Sequence, residues 1–225
     1  MWCVAQVDEA YAERMEEVLE IYEKPHNPQE PVVCLDEKPV LLHRDVRPTV
    51  PPAPGHPAKQ DSEYQRCGTA NIFCAVEPLA GRHFTWPTPN RSGKQFALAM
   101  DRLARAYPQA STIHLVVDNL STHALSSLVR HFGQDKGHQL WRRFTLHYTP
   151  KHASWLNQAE IEISLLARQC LGSRRLASLK ELRRECGAWN RKVNRERLKI
   201  KWTFSRLDAA NVFHHQFQLF TRSRH

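Results

Sequence analysis

Two short apolar runs in this chain each end in an aspartate. Residues 32–35 are followed by Asp36, and residues 113–117 are followed by Asp118. Short apolar runs rich in β-branched residues are typical of strands that are buried on both faces. A third acid, Glu160, lies inside an amphipathic helical pattern. Two carboxylates at strand ends and one on a helix form the ligand set that a pair of hard divalent cations needs for phosphodiester chemistry.

The rest of the chain adds strand patterns and helical patterns in a definite order. Three strands come in succession, and helices and strands then alternate, which predicts an α/β fold with a mixed five-stranded sheet flanked by helices. The proline-rich segment 48–57 predicts a stiff connection that cannot pair inside a sheet. The predicted strands are 32–35, 69–76, 83–86, 113–117 and 144–148, and the predicted helices are 7–24, 93–107, 123–131, 154–171 and 178–193.

Charge is distributed unevenly along the chain. Residues 1–24 contain seven acidic and two basic residues, whereas residues 168–225 contain 15 Lys/Arg against 4 Asp/Glu. A basic segment of this size attracts a polyanion by neutralising phosphates and releasing counterions, although a solvated helix surface is the alternative. We predict an N-terminal acidic helix and linker over residues 1–30, an α/β core over 31–172 and a basic C-terminal helical extension over 173–225.

The cysteine pattern and the hydropathy indicate a soluble protein of a reducing compartment. The six cysteines are scattered without a C-x-x-C pair, and several lie in apolar runs, which favours reduced thiols that pack as small hydrophobic side chains. The first residues are too few to form the apolar region of a secretory signal. There is also no apolar span of about 18 residues that would cross a membrane. We therefore expect a cytoplasmic protein without a membrane segment.

Each acid also has an ordinary structural explanation. An aspartate at a strand end, such as Asp36, often caps the following turn, and Asp118 precedes a helix that an acid would cap. A glutamate inside a helix is usually on the solvated face, but Glu160 has apolar neighbours, among which an unpaired carboxylate is costly and metal coordination removes the cost. Glu162 competes with Glu160, because positions i and i+2 project about 200° apart on a helix and at most one of them faces a site. The pattern alone leaves that choice open, but the coincidence of three acids favours a site.

Five segments carry a more specific signal. They are VCLDEKP at 33–39, GTANIF at 68–73, VDNLSTH at 117–123, YTPKHASWLNQAEI at 148–161 and IKWTF at 200–204. Together they resemble, in order, successive motifs of bacterial insertion-sequence transposases of the mariner superfamily. The resemblance implies an RNase H-like core in which Asp36, Asp118 and Glu160 form the DDE triad, and it favours Glu160 over Glu162. It also implies two Mg²⁺ or Mn²⁺ ions held by these acids, with Asp36 as the bridging ligand.

The resemblance further implies an activity and its partners. The activity is metal-dependent cleavage of DNA strands and their transfer to a target, which moves an insertion sequence in the nucleoid of a bacterial cytoplasm. We expect a homodimer, because two element ends must be handled together. Family members carry a helix-turn-helix region before the catalytic part, whereas only an acidic helix precedes Asp36 here, so we expect that region to be missing from this chain. The 41 residues between Asp118 and Glu160 exceed the usual interval, and we assign the excess to a polar loop over 133–143.

Several side chains near the acids are suited to DNA contacts. His123, five residues after Asp118, is a candidate for the outer shell of a metal or for a phosphate, and a plain surface histidine is the alternative. Of the basic residues, Lys151 is the strongest candidate. The full set predicted to contact phosphates is Lys38, Arg91, Lys94, His123, Lys151 and His152.

Two other function classes remain open at this point. A non-catalytic DNA-binding remnant of a transposase would keep the fold and the basic extension without turnover. An RNase H-type nuclease would share all three acids but would hydrolyse strands without joining them. A protein-binding module with no role on nucleic acid would leave the basic segment without a partner.

Overall fold

A five-stranded mixed sheet forms the centre of the structure, a computed structural model that describes residues 8–57 and 59–213. The strand order is β3-β2-β1-β4-β5, with β1–β2 and β2–β3 antiparallel and β1–β4 and β4–β5 parallel. This arrangement confirms the predicted mixed sheet. The strands are β1 Val32–Asp45, β2 Tyr64–Glu77, β3 Arg82–Thr88, β4 Ile113–Val117 and β5 Phe144–Tyr148.

Helices surround the sheet, and the acidic first helix and the basic late helix are both present. Asp8 caps the first helix by accepting a hydrogen bond from the backbone N–H of Tyr11 at 2.7 Å. Cys3, Val7 and the end of the predicted extension, 214–225, lie outside the described residues. The helices are α1 Glu9–Glu23, α2 Gly93–Ala106, α3 Leu125–Phe132, α4 Gln134–Trp141, α5 Ala159–Leu166 and α6 Leu179–Glu196, and residues 206–213 are also helical.

The two faces of the sheet are buried by different helices. On one face, Leu35, Phe73 and Leu115 pack with Phe96 and Met100 of α2 in a core that also includes side chains of α3 and α4. Because successive strand residues point to opposite faces, their neighbours Cys34, Cys74 and Val116 pack on the other face with α1, α5 and α6. The sheet is therefore covered on both sides, as its parallel part requires.

Strand β1 is longer than the sequence predicts. It continues past Asp36 to Asp45, because its antiparallel pairing with β2 extends from Cys34–Val76 to Asp45–Tyr64. Only the parallel pairing with β4 stops early, at Cys34. The prediction that Asp36 closes a strand is therefore wrong, and Asp36 instead lies where β1 loses its neighbour β4.

The predicted loop at 133–143 is also wrong, because α4 occupies most of it. Gly133 separates α3 from α4 with φ of 85°, which is in the left-handed region that favours glycine. Gly137 lets the two helices approach closely, since a Cβ there would lie 2.8 Å from Cα of Val129. Leu140 is buried in the core. The polar composition of this segment did not indicate a helix, because only Leu140 and Trp141 pack against the core.

The predicted continuous helix over 154–171 is divided into three pieces. Residues Ser154–Leu156 form a 3₁₀ turn, α5 follows, and Ala167–Leu171 form a π-helical turn. The break before α5 lies at Asn157, whose side-chain oxygen accepts a hydrogen bond from the backbone N–H of Ala159 at 3.1 Å. A side chain that competes for backbone hydrogen bonds in this way starts a new helix.

Two general properties of the chain can be checked on the part that the structure describes. Five cysteines, Cys34, Cys67, Cys74, Cys170 and Cys186, are free thiols there, and all but Cys67 are buried. No helix in that part combines the length and the apolar character needed to cross a bilayer.

Candidate active site

Strand register brings Asp36 and Asp118 together. The parallel pairing of β1 with β4 ends at Cys34 and Val116, and each aspartate lies two residues beyond that pair. Adjacent strands lie about 4.8 Å apart. Two acids that are far apart in the sequence therefore lie at the same level of the sheet, Asp36 within β1 and Asp118 just after β4.

Asn157 fastens the start of α5 beside Asp36. Its side-chain amide is fully buried and donates a hydrogen bond to the backbone carbonyl of Leu35, the residue before Asp36, at 2.9 Å. Its own carbonyl accepts a hydrogen bond from the backbone N–H of Glu160 at 3.0 Å. Glu160 lies in the first turn of α5, so Asn157 connects the backbone of Asp36 to that of Glu160.

The pKa of the Asp36 carboxyl group shows that these acids lie close together. Its pKa is raised from an ordinary value of 3.8 to about 7, mainly by burial and also by the negative charges of Glu160, Glu37 and Asp118. A hydrogen bond from the backbone N–H of Glu37 to Asp36 Oδ1, at 2.7 Å, opposes the increase. The other three carboxylates are thus near enough to act on Asp36, and a cation beside Asp36 would be stabilised.

Asp118 is held by a buried histidine. Its Oδ1 lies 2.8 Å from Nδ1 of His123 and accepts a hydrogen bond from the backbone N–H of Leu120 at 3.1 Å. Burial alone would raise the pKa of Asp118. The bonds from His123 and Leu120 and the nearby charge of Arg91 outweigh burial, and the pKa is lowered.

The interpretation of His123 as a surface residue is wrong. The residue is 1% exposed, and its Nε2 lies 2.7 Å from Oε1 of Glu37. Burial lowers its pKa, but the two carboxylates outweigh burial and raise it to about 9. The ring is therefore an imidazolium at neutral pH that donates to both acids. This position does not suit direct contact with a DNA phosphate, because both ring nitrogens are already bonded.

Glu162 has a different environment from Glu160. Its side chain is fully buried, and its Oε2 lies 2.8 Å from Nδ1 of His83, which is itself 1% exposed. Nε2 of His83 faces the backbone carbonyl of Leu198 at 2.8 Å. Glu162 is thus committed to a buried pair within the fold, while the charge of Glu160 acts on Asp36.

The other residues predicted to contact phosphates differ in exposure and in their relation to the acids. Arg91, Lys94, Lys151 and His152 are exposed, and the charge of Arg91 acts on Asp118. Lys38 is half-buried. It lies two residues after Asp36 on β1, and therefore on the same face of the sheet.

The structure adds one cation that the sequence did not point to. Arg14 of α1 donates a hydrogen bond to the side-chain oxygen of Asn119, the residue after Asp118, at 2.6 Å. It lines an open groove of about 380 Å³ together with Lys151 and His152. In the sequence, Arg14 is a single base in an acidic helix, and no local pattern places it beside Asp118.

The donor set suits a hard divalent cation, because it consists of carboxylates whose mutual repulsion a cation would relieve. Within residues 8–57 and 59–213, however, no three His, Cys, Asp or Glu side chains already form a metal-ligating cluster. Asp118 shows one reason, since its Oδ1 is bonded to His123 and Leu120. Asp36, Asp118 and Glu160 are the residues that would hold such a cation.

Comparison with known proteins agrees with this geometry. The sequence model of a family described as DDE superfamily endonuclease matches residues 31–183, well over half of the chain. The match begins just before β1 and ends within α6, so it contains Asp36, Asp118 and Glu160. No curated protein matches the chain significantly.

Similar solved structures confirm the RNase H-like fold. A "Mos1 transposase paired-end complex with left transposon end" has a TM-score of 0.55 at 14% identity, over 88% of this chain and 61% of that chain. A "Mos1 mariner paired end complex with Mn" gives 0.54 at 15%, over 86% and 60%. A "mariner Mos1 paired end complex with Mg" gives 0.51 at 18%, over 85% and 60%. This chain thus spans about three fifths of the length of those proteins.

Proposed function

Because the chain belongs to the DDE superfamily endonuclease family, we propose that it is the catalytic part of a DNA transposase. It cleaves DNA strands in a metal-dependent reaction and joins the freed 3′ ends to target DNA. The observation that carries this proposal is the convergence of Asp36, Asp118 and Glu160, supported by β1–β4 register and by Asn157. The neighbouring structures are transposon-end complexes, two of them with Mn or Mg, which supports DNA and a divalent cation as partners.

Each acid has a distinct place in the proposed mechanism. Burial and repulsion by its neighbours raise the pKa of Asp36, so its carboxylate would gain from a cation and it would be one of the ligands. Asp118 and Glu160 flank it. The three acids would hold Mg²⁺ or Mn²⁺, which we propose as two ions and which would supply activation of the attacking hydroxyl and charge stabilisation on the leaving 3′ oxygen.

The chain's basic side chains would orient the DNA strand along this site. Arg91 and Lys94 lie at the start of α2, and Lys151, His152 and Arg14 line the groove beside Asn119. Contacts from such cations to phosphates fix register without reading sequence. The homodimer, the separate helix-turn-helix region, the bacterial nucleoid setting and the three-part division of the chain stay predictions.

A strand-joining assay tests the proposed function. We expect the protein with Mn²⁺ or Mg²⁺ to nick DNA and to join a pre-nicked oligonucleotide end to a second duplex. Hydrolysis without joined product would identify the RNase H-type nuclease instead. DNA binding with neither product would identify a non-catalytic remnant.

The basic face of α6 gives a second test, of DNA binding alone. Three basic side chains of α6 are exposed and make no hydrogen bond or ion pair with any residue that the structure describes. They are those of Arg191, Lys192 and Arg195. Replacing all three with alanine is expected to weaken binding to duplexes of any sequence. It should also flatten the dependence of log K on log salt by about one unit for each lost phosphate contact. Fluorescence anisotropy at several salt concentrations measures both effects.

A variant of equal charge change provides the control for α6. Arg105, Arg130 and Lys136 are exposed on α2, α3 and α4, which pack on the opposite face of the sheet. Replacing these three with alanine should leave the salt slope near that of the unaltered protein. Equal slopes for the two triple variants would contradict a role of the α6 face in DNA binding.

A further inference from the structure

Three residues form a row of close polar contacts at the edge of the candidate active site. Glu37 Oε1 lies 2.7 Å from Nε2 of His123, and Nδ1 of His123 lies 2.8 Å from Oδ1 of Asp118. The side chains of Glu37 and His123 are 3% and 0% exposed, whereas that of Asp118 is 41% exposed. The row therefore runs from the protein interior to the solvent-facing acid.

The row reaches the site from the other face of the sheet. Glu37 follows Asp36 on β1, so their side chains point to opposite faces. On the face of Glu37, the His123 ring packs 4.6 Å from the ring of Phe96, a core residue of α2. Glu160 lies on α5, which packs on the opposite face. Glu160 therefore approaches the candidate site from one face of the sheet, and Glu37 and His123 approach it from the other.

His123 is itself fixed in place on several sides. Its backbone carbonyl accepts a hydrogen bond from the Tyr148 hydroxyl at 2.8 Å, and its backbone N–H donates to the carbonyl of Leu120 at 2.8 Å. With Phe96 against the ring and Glu37 at Nε2, the ring has one orientation that satisfies all of its contacts. A histidine ring that is fixed in this way can in turn restrict the orientation of the Asp118 side chain.

The contacts to the Asp118 side chain fall on one oxygen. Oδ1 accepts a hydrogen bond from the backbone N–H of Leu120 and lies 2.8 Å from Nδ1 of His123, which also lies 3.3 Å from the backbone carbonyl of Asp118. Oδ2 has no hydrogen-bond partner among the residues that the structure describes, so it is the oxygen that faces solvent. Without His123, the Leu120 bond alone would hold this carboxylate, which is 41% exposed.

We infer that Glu37 and His123 are positioning residues that orient Asp118 so that its Oδ2 is available to a divalent cation. This inference rests on the proposed function, because it assumes that Asp118 is a metal ligand. Partners that hold a metal ligand from behind typically change metal affinity by about 10- to 100-fold when they are replaced. The family match does not assign a role to either residue.

A matched pair of substitutions at His123 separates positioning from general structural support. The amide nitrogen of asparagine occupies roughly the place of Nδ1, so His123→Asn keeps a donor to Asp118 and loses the bond to Glu37. The longer side chain of His123→Gln places its amide near Nε2, so it keeps the contact to Glu37 and loses the donor to Asp118. Both variants remove the ring from Phe96, so a purely structural role predicts similar losses of stability and similar metal binding.

The readouts are direct Mn²⁺ binding, followed by electron paramagnetic resonance in the presence of DNA, and the metal concentration that gives half-maximal cleavage. We expect His123→Gln to weaken Mn²⁺ binding by about 10- to 100-fold and to raise the half-maximal metal concentration in parallel. His123→Asn should stay closer to the unaltered protein. Thermal melting records the stability of each variant. Equal Mn²⁺ affinity in the two variants would overturn the inference.

Glu37 and Asp118 complete the experiment. Glu37→Gln keeps an acceptor for Nε2 and should retain more Mn²⁺ affinity than Glu37→Ala, which provides a second comparison if a His123 variant fails to fold. Equal affinity for these two variants would also count against the inference.

Asp118→Ala tests the assumption that Asp118 is a metal ligand. If Asp118→Ala loses Mn²⁺ while His123→Gln does not, the positioning role fails and the proposed function stands. If Asp118→Ala keeps both Mn²⁺ binding and cleavage, both fail.

Discussion

Asp36→Asn is expected to reduce metal-dependent DNA cleavage by about three orders of magnitude or more without lowering the stability of the fold. Metal ions contribute several kcal/mol of transition-state stabilisation in such reactions, which corresponds to at least about a thousandfold in rate. Asparagine has the shape of aspartate but lacks the charge that would hold the cation. The measurement is the single-turnover cleavage rate with Mg²⁺ and with Mn²⁺, and Asp118→Asn and Glu160→Gln should show comparable losses.

The expected change in stability of Asp36→Asn follows from the raised pKa of Asp36. Burial and neighbouring carboxylates raise the pKa of Asp36 to about 7 in the folded protein, from 3.8. The folded state therefore binds more protons than the unfolded state between those values, and the metal-free protein loses stability as pH rises from about 4 to 7. Asparagine removes this loss. Thermal melting of the metal-free proteins across that range should show a weaker pH dependence for the variant and no decrease in its melting temperature at pH 7.

A neutral substitution elsewhere provides the control. Asp135 lies exposed in the first turn of α4, so Asp135→Asn should cleave at the rate of the unaltered protein. Full cleavage by Asp36→Asn, Asp118→Asn and Glu160→Gln would remove these acids from the active site. Loss of cleavage together with a lower melting temperature in Asp36→Asn would show instead that Asp36 supports the fold.

Local patterns predicted the elements whose structure is decided locally. Strands β4 and β5 have the predicted bounds, because each is a short apolar run ended by polar residues or by a proline. The start of α2 after Ser92 also follows from the sequence. The parallel pairing of β1 with β4, which the sequence did not predict, then brings Asp36 and Asp118 to the same end of the sheet.

The contacts that give the site its detail could not be predicted in this way. Asn157 bonds the carbonyl of Leu35 across 122 positions, and Glu37 bonds His123 across 86. Neither pair has a sequence signature, because each depends on the final packing of two elements. His123 in particular resembles an ordinary polar residue before a helix, and only the fold shows that Glu37 points back toward it.

His83→Ala is expected to lower the free energy of unfolding by about 1–3 kcal/mol, the usual cost of leaving a buried polar group without its hydrogen-bond partner. His83 and Glu162 are 1% and 0% exposed, and Glu162 Oε1 already has no hydrogen-bond partner among the described residues. Without the His83 ring, the second oxygen of Glu162 would also lose its bond. Urea denaturation at pH 7 measures the effect.

The same experiment distinguishes the two glutamates of α5, which the sequence pattern alone could not separate. Glu162→Ala should also destabilise the protein strongly, because it leaves Nδ1 of His83 buried without a partner. Glu160→Ala should abolish cleavage and leave the urea midpoint almost unchanged, since Glu160 is half-exposed and repels Asp36.

Replacing both members of the pair, in His83→Leu/Glu162→Met, should recover much of the lost stability, because apolar residues of similar size fill the same space without leaving an unpaired charge. Equal urea midpoints for Glu160→Ala and Glu162→Ala would show that the buried pair contributes nothing, and the assignment of Glu162 to the fold would then fail.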